Sequence, residues 1–176
     1  VVPLLTQGGG QVLVEMQNGL TIAHSLLNGL GFVGLTIAGT LVTLGPTALR
    51  IRMDPDAVSR AITVLPVLAV GGVGAALAAT WEVLPLAGIF VLLYALGLIW
   101  GVGVSLLDAA IRKPISEVAT WNFAAGIVWS LVGLFWLSGA LMFSPTALAF
   151  REASRVIVAV IGVGGVLQIL VGALTY

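Results

Sequence analysis

Residues 86–107 read Leu86-Ala87-Gly88-Ile89-Phe90-Val91-Leu92-Leu93-Tyr94-Ala95-Leu96-Gly97-Leu98-Ile99-Trp100-Gly101-Val102-Gly103-Val104-Ser105-Leu106-Leu107, without a single charge. A bilayer core about 30 Å thick is crossed by about 20 apolar residues of helix. The run is far too long for a strand. Lipid also obliges every backbone N–H and C=O to be bonded within the protein, so the run is read as a transmembrane helix. Four similar runs accompany it, and the spans are placed at residues 20–44, 61–79, 86–107, 120–143 and 156–176. The alternation of a membrane β-barrel is absent. The expected fold class is all-α, a polytopic transmembrane helix bundle of five spans.

Composition agrees. Hydrophobic residues make up 60% of the chain and charged residues 8%, with a mean hydropathy of +1.18. A water-soluble domain carries roughly 25% charged residues, so this chain lacks the polar groups to cover a wet surface. Its expected surroundings are a lipid bilayer and other transmembrane helices or subunits. There is no cysteine, hence no disulfide and no thiolate metal site. Net charge is zero and no basic patch exists for nucleic acid. Residues 1–19, with the polar Gln7-Gly8-Gly9-Gly10-Gln11, are expected to form an extramembrane leader, and residues 20–176 a single transmembrane domain. Because the chain opens Val1-Val2-Pro3 and ends in an apolar run at Tyr176, it is expected to be a piece of a longer membrane region.

Charges in the breaks set an orientation. The first break holds Arg50, Arg52 and Arg60, and the third Arg112 and Lys113, whereas Arg151 and Arg155 fall in the fourth. Short loops rich in Lys and Arg stay cytoplasmic, so the chain start is predicted to be extracytoplasmic in a bacterial plasma membrane. Pro46 should end or kink the first span. Asp54-Pro55-Asp56 reads as a turn and Thr80-Trp81-Glu82 with Pro85 as a tight hairpin, while Pro114 and Ser116-Glu117 should start the fourth helix. Pro46-Thr47-Ala48-Leu49 is echoed by Pro145-Thr146-Ala147-Leu148, an internal likeness best ascribed to chance.

Glycine is abundant, at 23 residues. Small residues let membrane helices approach closely. Gly31, Gly34, Ala38 and Gly39 are expected to do this on the first span, Gly97, Gly101 and Ser105 on the third, Gly126, Ser130 and Gly133 on the fourth, and Gly162, Gly165 and Gly172 on the fifth.

Polar groups within spans are costly and invite a role. His24, the sole histidine, and Asn28 lie four residues apart, with Gly31 three further on, so all three share one helical face. His24 is the candidate metal or haem ligand, with Asn28 as a cofactor-binding neighbour; the alternative is a hydrogen-bonded interfacial histidine. One imidazole cannot complete a six-coordinate haem site, and Met142 is the only methionine within a span. Asn122 should cap a helix end or bond a neighbour, and Gln168 should make an interhelical hydrogen bond. Tyr94, Trp100, Trp129 and Trp136 should pack helices, face lipid or flank a planar cofactor. No charge lies deep in a span, which argues against proton pumps, carboxylate-coupled transporters and voltage sensors. Catalytic motifs are missing.

The run from His24 to Met53 contains His24, Asn28, Gly31, Gly39, Thr40, Pro46, Thr47, Arg50 and Arg52 in a pattern that resembles the membrane part of actinobacterial copper oxidase-like proteins. Gln168 to Tyr176 is similar to that family's closing Gln-x-Leu-x-Gly-Ala-Leu-x-Tyr run. Gly45 departs from it, standing where a Trp is expected before Pro46. The resemblance implies the later half of a membrane region that precedes copper-binding cupredoxin domains, in the same or a partner chain. Copper chemistry cannot be assigned to these residues, but histidines in other parts of such a protein could pair with His24.

Three functions are expected to compete. The first is a redox-associated membrane module that anchors an extracytoplasmic copper enzyme and holds haem. The second is a cofactor-free scaffold or accessory subunit. The third is a channel or carrier for an uncharged solute, with Asn28, Asn122 and Gln168 lining its path.

Overall fold

The computed structural model describes residues 10–48, 52, 54–104, 106 and 117–175. Among them every extended element is helical and there is no strand. Helix α1 covers residues 10–48, as an α-helical start Gly10–Leu26, a π-helical middle Leu27–Gly34 and an α-helical end Leu35–Ala48. Helix α2 is Ala57–Thr80. Helix α3 is Leu84–Gly103, with its last stretch, Ile99–Gly103, again π-helical. Helix α4 is Val118–Phe143, and α5 is Ala147–Leu174 with a π stretch at Val160–Leu167. Each is long and apolar enough to cross a membrane. The architecture is therefore the five-span all-α bundle expected.

The main correction is at α5, which starts at Ala147 rather than at residue 156. Thr146 caps it, its Oγ1 accepting the Ala149 N–H at 3.2 Å. Arg151, Glu152 and Arg155 are exposed on this first stretch, while Ala147, Phe150 and Ile157 are buried. Those arginines therefore stand on a helix and not in a break. The buried positions 147, 150 and 157 share one side and the charged positions fall on the other, which makes an amphipathic helix that a reading of bulk hydropathy misses. Helix α1 likewise begins at Gly10, inside the expected leader. Pro46 sits within the last turns of α1, whereas Pro145-Thr146 opens α5, so the repeated Pro-Thr-Ala-Leu closes one helix and begins another.

The turns behave as read. The Oδ1 of Asp54 accepts the Asp56 N–H at 2.9 Å, and its Oδ2 pairs with the Arg60 guanidinium. At the α2–α3 hairpin Glu82 has φ of 55° and its N–H donates to Ala79 O at 3.0 Å, with Trp81 72% exposed beside it. Arg50, Ser105, Arg112, Lys113, Pro114 and Ser116 lie outside the described residues. Asn18 on α1 accepts a hydrogen bond from Arg151 on α5, and Gly19 lies against Ala79 and Thr80. The start of α1, the α2–α3 hairpin and the α4–α5 hairpin thus share one end of the bundle.

Glycine sets the packing. A Cβ at Gly19 would stand 2.6 Å from the Ala79 carbonyl oxygen, joining α1 to α2. At Gly71 it would stand 3.0 Å from Phe90 O and 3.1 Å from Tyr94 N, joining α2 to α3. At Gly88 it would stand 2.7 Å from Ser138 O, joining α3 to α4, and at Gly172 2.9 Å from Ala119 O, joining α5 to α4. Each consecutive pair therefore touches backbone to backbone, where the atoms gain dispersion contacts that lipid tails would otherwise supply less closely. Gly97, Gly101, Gly126, Gly133 and Gly165 pack against neighbouring helices as expected, and so do Gly34 and Ala38. Gly31, Gly39 and Gly162 do not: a Cβ there would meet nothing within 4 Å.

Two hydroxyls tie the core. The Tyr94 phenol is 1% exposed and donates to Leu30 O on α1 at 2.8 Å. Ser138 donates to Gly88 O on α3 at 2.8 Å.

Gly101→Leu should push α3 off α2, because even a Cβ there overlaps the Val64 side chain. Overpacking of this kind costs about 1–3 kcal/mol. A thermal melt in detergent should fall by several degrees, and an unchanged midpoint would count against the packing described. Tyr94→Phe should lower the midpoint as well, by stranding the Leu30 carbonyl at a cost of about 1–3 kcal/mol.

Candidate functional site

Helix α1 has two faces. Ile22, Ala23, Leu26 and Leu30 are buried in the same core cluster as Ala75, Ala76 and Ala79 of α2. His24 and Asn28 lie on the other side and are exposed. They meet each other: Asn28 Nδ2 is 2.9 Å from His24 Nε2. Sequence spacing therefore brought together the pair it promised, but pointing out of the bundle.

Their depth makes the position costly. Gly19 is level with the α2–α3 hairpin. At 1.5 Å per residue His24 lies about 8 Å and Asn28 about 13 Å further along the axis. Asn28 is thus well inside Gln17–Thr47, a stretch long and apolar enough to cross a membrane. Other polar groups on α1 satisfy themselves. Thr21, Ser25, Thr36, Thr40 and Thr43 each donate to the carbonyl four residues earlier, at 2.7, 2.9, 2.6, 2.7 and 3.3 Å. The amide oxygen of Asn28 has no such outlet, and no donor among the described residues reaches it. Phe32, 76% exposed, and the open Gly31 and Gly39 continue the outward side of the helix.

The remaining candidates scatter. Asn122 Nδ2 donates to Val118 O at 3.0 Å within its own helix. Gln168 does not make the interhelical bond expected of it: its Oε1 is buried without a partner. Met142 packs against Gly88 of α3 and its Sδ is 3.8 Å from Ser138 Oγ, so it is not brought to His24. Trp100, Trp129 and Trp136 are 48, 44 and 48% exposed and face outward, while Tyr94 is core. Among the described residues no three His, Cys, Asp or Glu side chains converge. The donor set among the described residues is one imidazole, whose Nε2 lies beside the Asn28 amide. Asn28, Asn122 and Gln168 are not among the residues lining the cavity between α1 and α5.

Sequence reasoning missed the Tyr94–Leu30, Ser138–Gly88 and Arg151–Asn18 bonds. The last joins residues 133 apart and leaves no local trace in the chain.

Comparison of the chain with protein-family models, with curated proteins and with solved structures finds no match.

His24→Ala and Asn28→Leu should leave the melting midpoint of the isolated chain within about 0.5 kcal/mol of wild type. Both side chains contact the rest of the bundle little, so a large loss would show that the pair supports the fold.

Proposed function

We propose that this chain is an anchoring module of a larger membrane assembly, which it joins through the outward face of α1. The observation behind this reading is the His24–Asn28 pair, held at membrane depth on a face that no other described helix covers. An amide left in hydrocarbon is unfavourable, and interhelical hydrogen bonds of this sort are worth about 1 kcal/mol each. A transmembrane helix of another subunit or segment, offering a donor to Asn28 Oδ1, removes that cost. The open Gly31 and Gly39 give its backbone room to come close. In this reading the assembly sits in a bacterial plasma membrane with the Arg52 and Arg60 end inside, and the resemblance of residues 24–53 names an extracytoplasmic, copper-binding cupredoxin enzyme as what is anchored.

A second reading rests on the same imidazole. If the facing helix brings a second axial ligand, His24 turns from Asn28 to a shared haem and the module becomes an electron-transfer element. The present geometry, with Nε2 occupied by Asn28, favours the scaffold.

A photoactivatable residue placed at Phe32 should crosslink to polypeptide in native membranes, whereas one at the exposed Ile62 of α2 should yield lipid adducts. Lipid adducts alone at Phe32 would refute the docking role. A Soret band in the purified complex, lost in His24→Ala, would replace the scaffold reading with the haem reading.

A further inference from the structure

The first and last helices touch at one end, through Asn18 and Arg151, and then diverge. Between them lies a cavity of about 560 Å³, lined by α1 from Thr21 to Leu41 and by α5 from Phe150 to Ile169, and floored by α3 and α4. Each of these two stretches is about 30 Å of helix, so the groove runs the depth of the hydrocarbon layer. An extended acyl chain can lie along such an apolar groove.

All three π-helical stretches, Leu27–Gly34, Ile99–Gly103 and Val160–Leu167, contribute to its wall. Their glycines do not fill it: Gly29 and Gly162 line the groove, and a Cβ at either would meet nothing within 4 Å. The wall is mainly apolar, the hydroxyls of Tyr94 and Ser130 being spent on backbone carbonyls, and it is chemically distinct at one mouth. There stand Thr21, Ser25, Ser154 and Arg151, the one charged residue of the lining. The bond from Arg151 Nη1 to Asn18 fixes the guanidinium across the gap between the helices. A guanidinium has five N–H donors in a planar fork suited to phosphate oxygens.

We infer that the groove binds one anionic phospholipid, with its phosphate at Arg151 and an acyl chain laid between α1 and α5. Charge complementarity at the mouth selects the headgroup, and the apolar lining takes the tail. This site faces the bundle interior and is separate from the outward face of α1 that carries His24.

The test is native mass spectrometry of the chain from nanodiscs containing phosphatidylglycerol and phosphatidylcholine in equal amounts. Wild type should release with one phosphatidylglycerol bound, preferred roughly fivefold over phosphatidylcholine, the effect of one cation near the lipid surface. Arg151→Gln should retain a lipid but lose the preference. Gly162→Leu and, independently, Gly29→Leu should lose the bound lipid while melting as wild type, since each fills the groove without touching the packed helices. Equal binding of the two lipids by wild type, or undiminished lipid in both folded glycine variants, would overturn the assignment.

Discussion

Backbone meets backbone at every consecutive helix pair of this bundle, and the rest of the structure depends on it. Lipid offers no hydrophobic reward for bringing two apolar helices together, because tails are as oily as leucine. What remains is dispersion, which falls steeply with separation. Gly19, Gly71, Gly88 and Gly172 remove the side chain at the point of closest approach and so place neighbouring carbonyls in contact. The Gly88 approach puts Ser138 within reach of the Gly88 carbonyl, and Gly34 of α1 makes room for the Tyr94 hydroxyl beside Leu30. The interhelical hydrogen bonds are therefore products of the small-residue contacts, adding direction to a contact that dispersion has already made.

A second constraint is that polar atoms need partners when water is absent. The bundle meets it in three ways. Threonine and serine hydroxyls on α1 bond back to their own helix and ask nothing of neighbours. Tyr94 and Ser138 use theirs between helices. The charges of α5 are gathered into its first turns, at the end shared with the hairpins. Asn28 and Gln168 stand outside these solutions, each with an amide oxygen that the described residues leave without a donor. They lie on different helices, and of the two only Asn28 is coupled to a titratable neighbour.

The five spans were legible because length and hydropathy decide them: once a run of 20 residues is apolar, lipid leaves the backbone no alternative to helix. Some close contacts were legible too, as glycines at Gly97, Gly101, Gly126, Gly165 and Gly172, whereas Gly19, Gly71 and Gly88 carried no such signal. Direction was not. Helices α3 and α4 are apolar nearly all the way round, so periodicity does not say which side faces inward, and the outward aim of His24 and Asn28 follows from which neighbours α1 finds rather than from α1 itself. The π stretches were equally hidden. Each shifts the side-chain register within a continuous apolar run, and the residues that permit it, Gly29, Gly101, Gly162 and their neighbours, are the ones that also signal packing. The start of α5 was misplaced for the opposite reason. There the informative signal was the spacing of Phe150 and Ile157 against Arg151 and Arg155, while average hydropathy pointed to a loop.

The helices pack in the order in which they occur along the chain, α1 on α2, α2 on α3, α3 on α4 and α4 on α5. This has a bearing on biosynthesis. Spans delivered to the membrane singly would each find the preceding one already in place, so little search is needed at any stage. The exception is the Asn18–Arg151 clasp. It unites α1 with α5, and can form only when the ribosome has finished with everything between them.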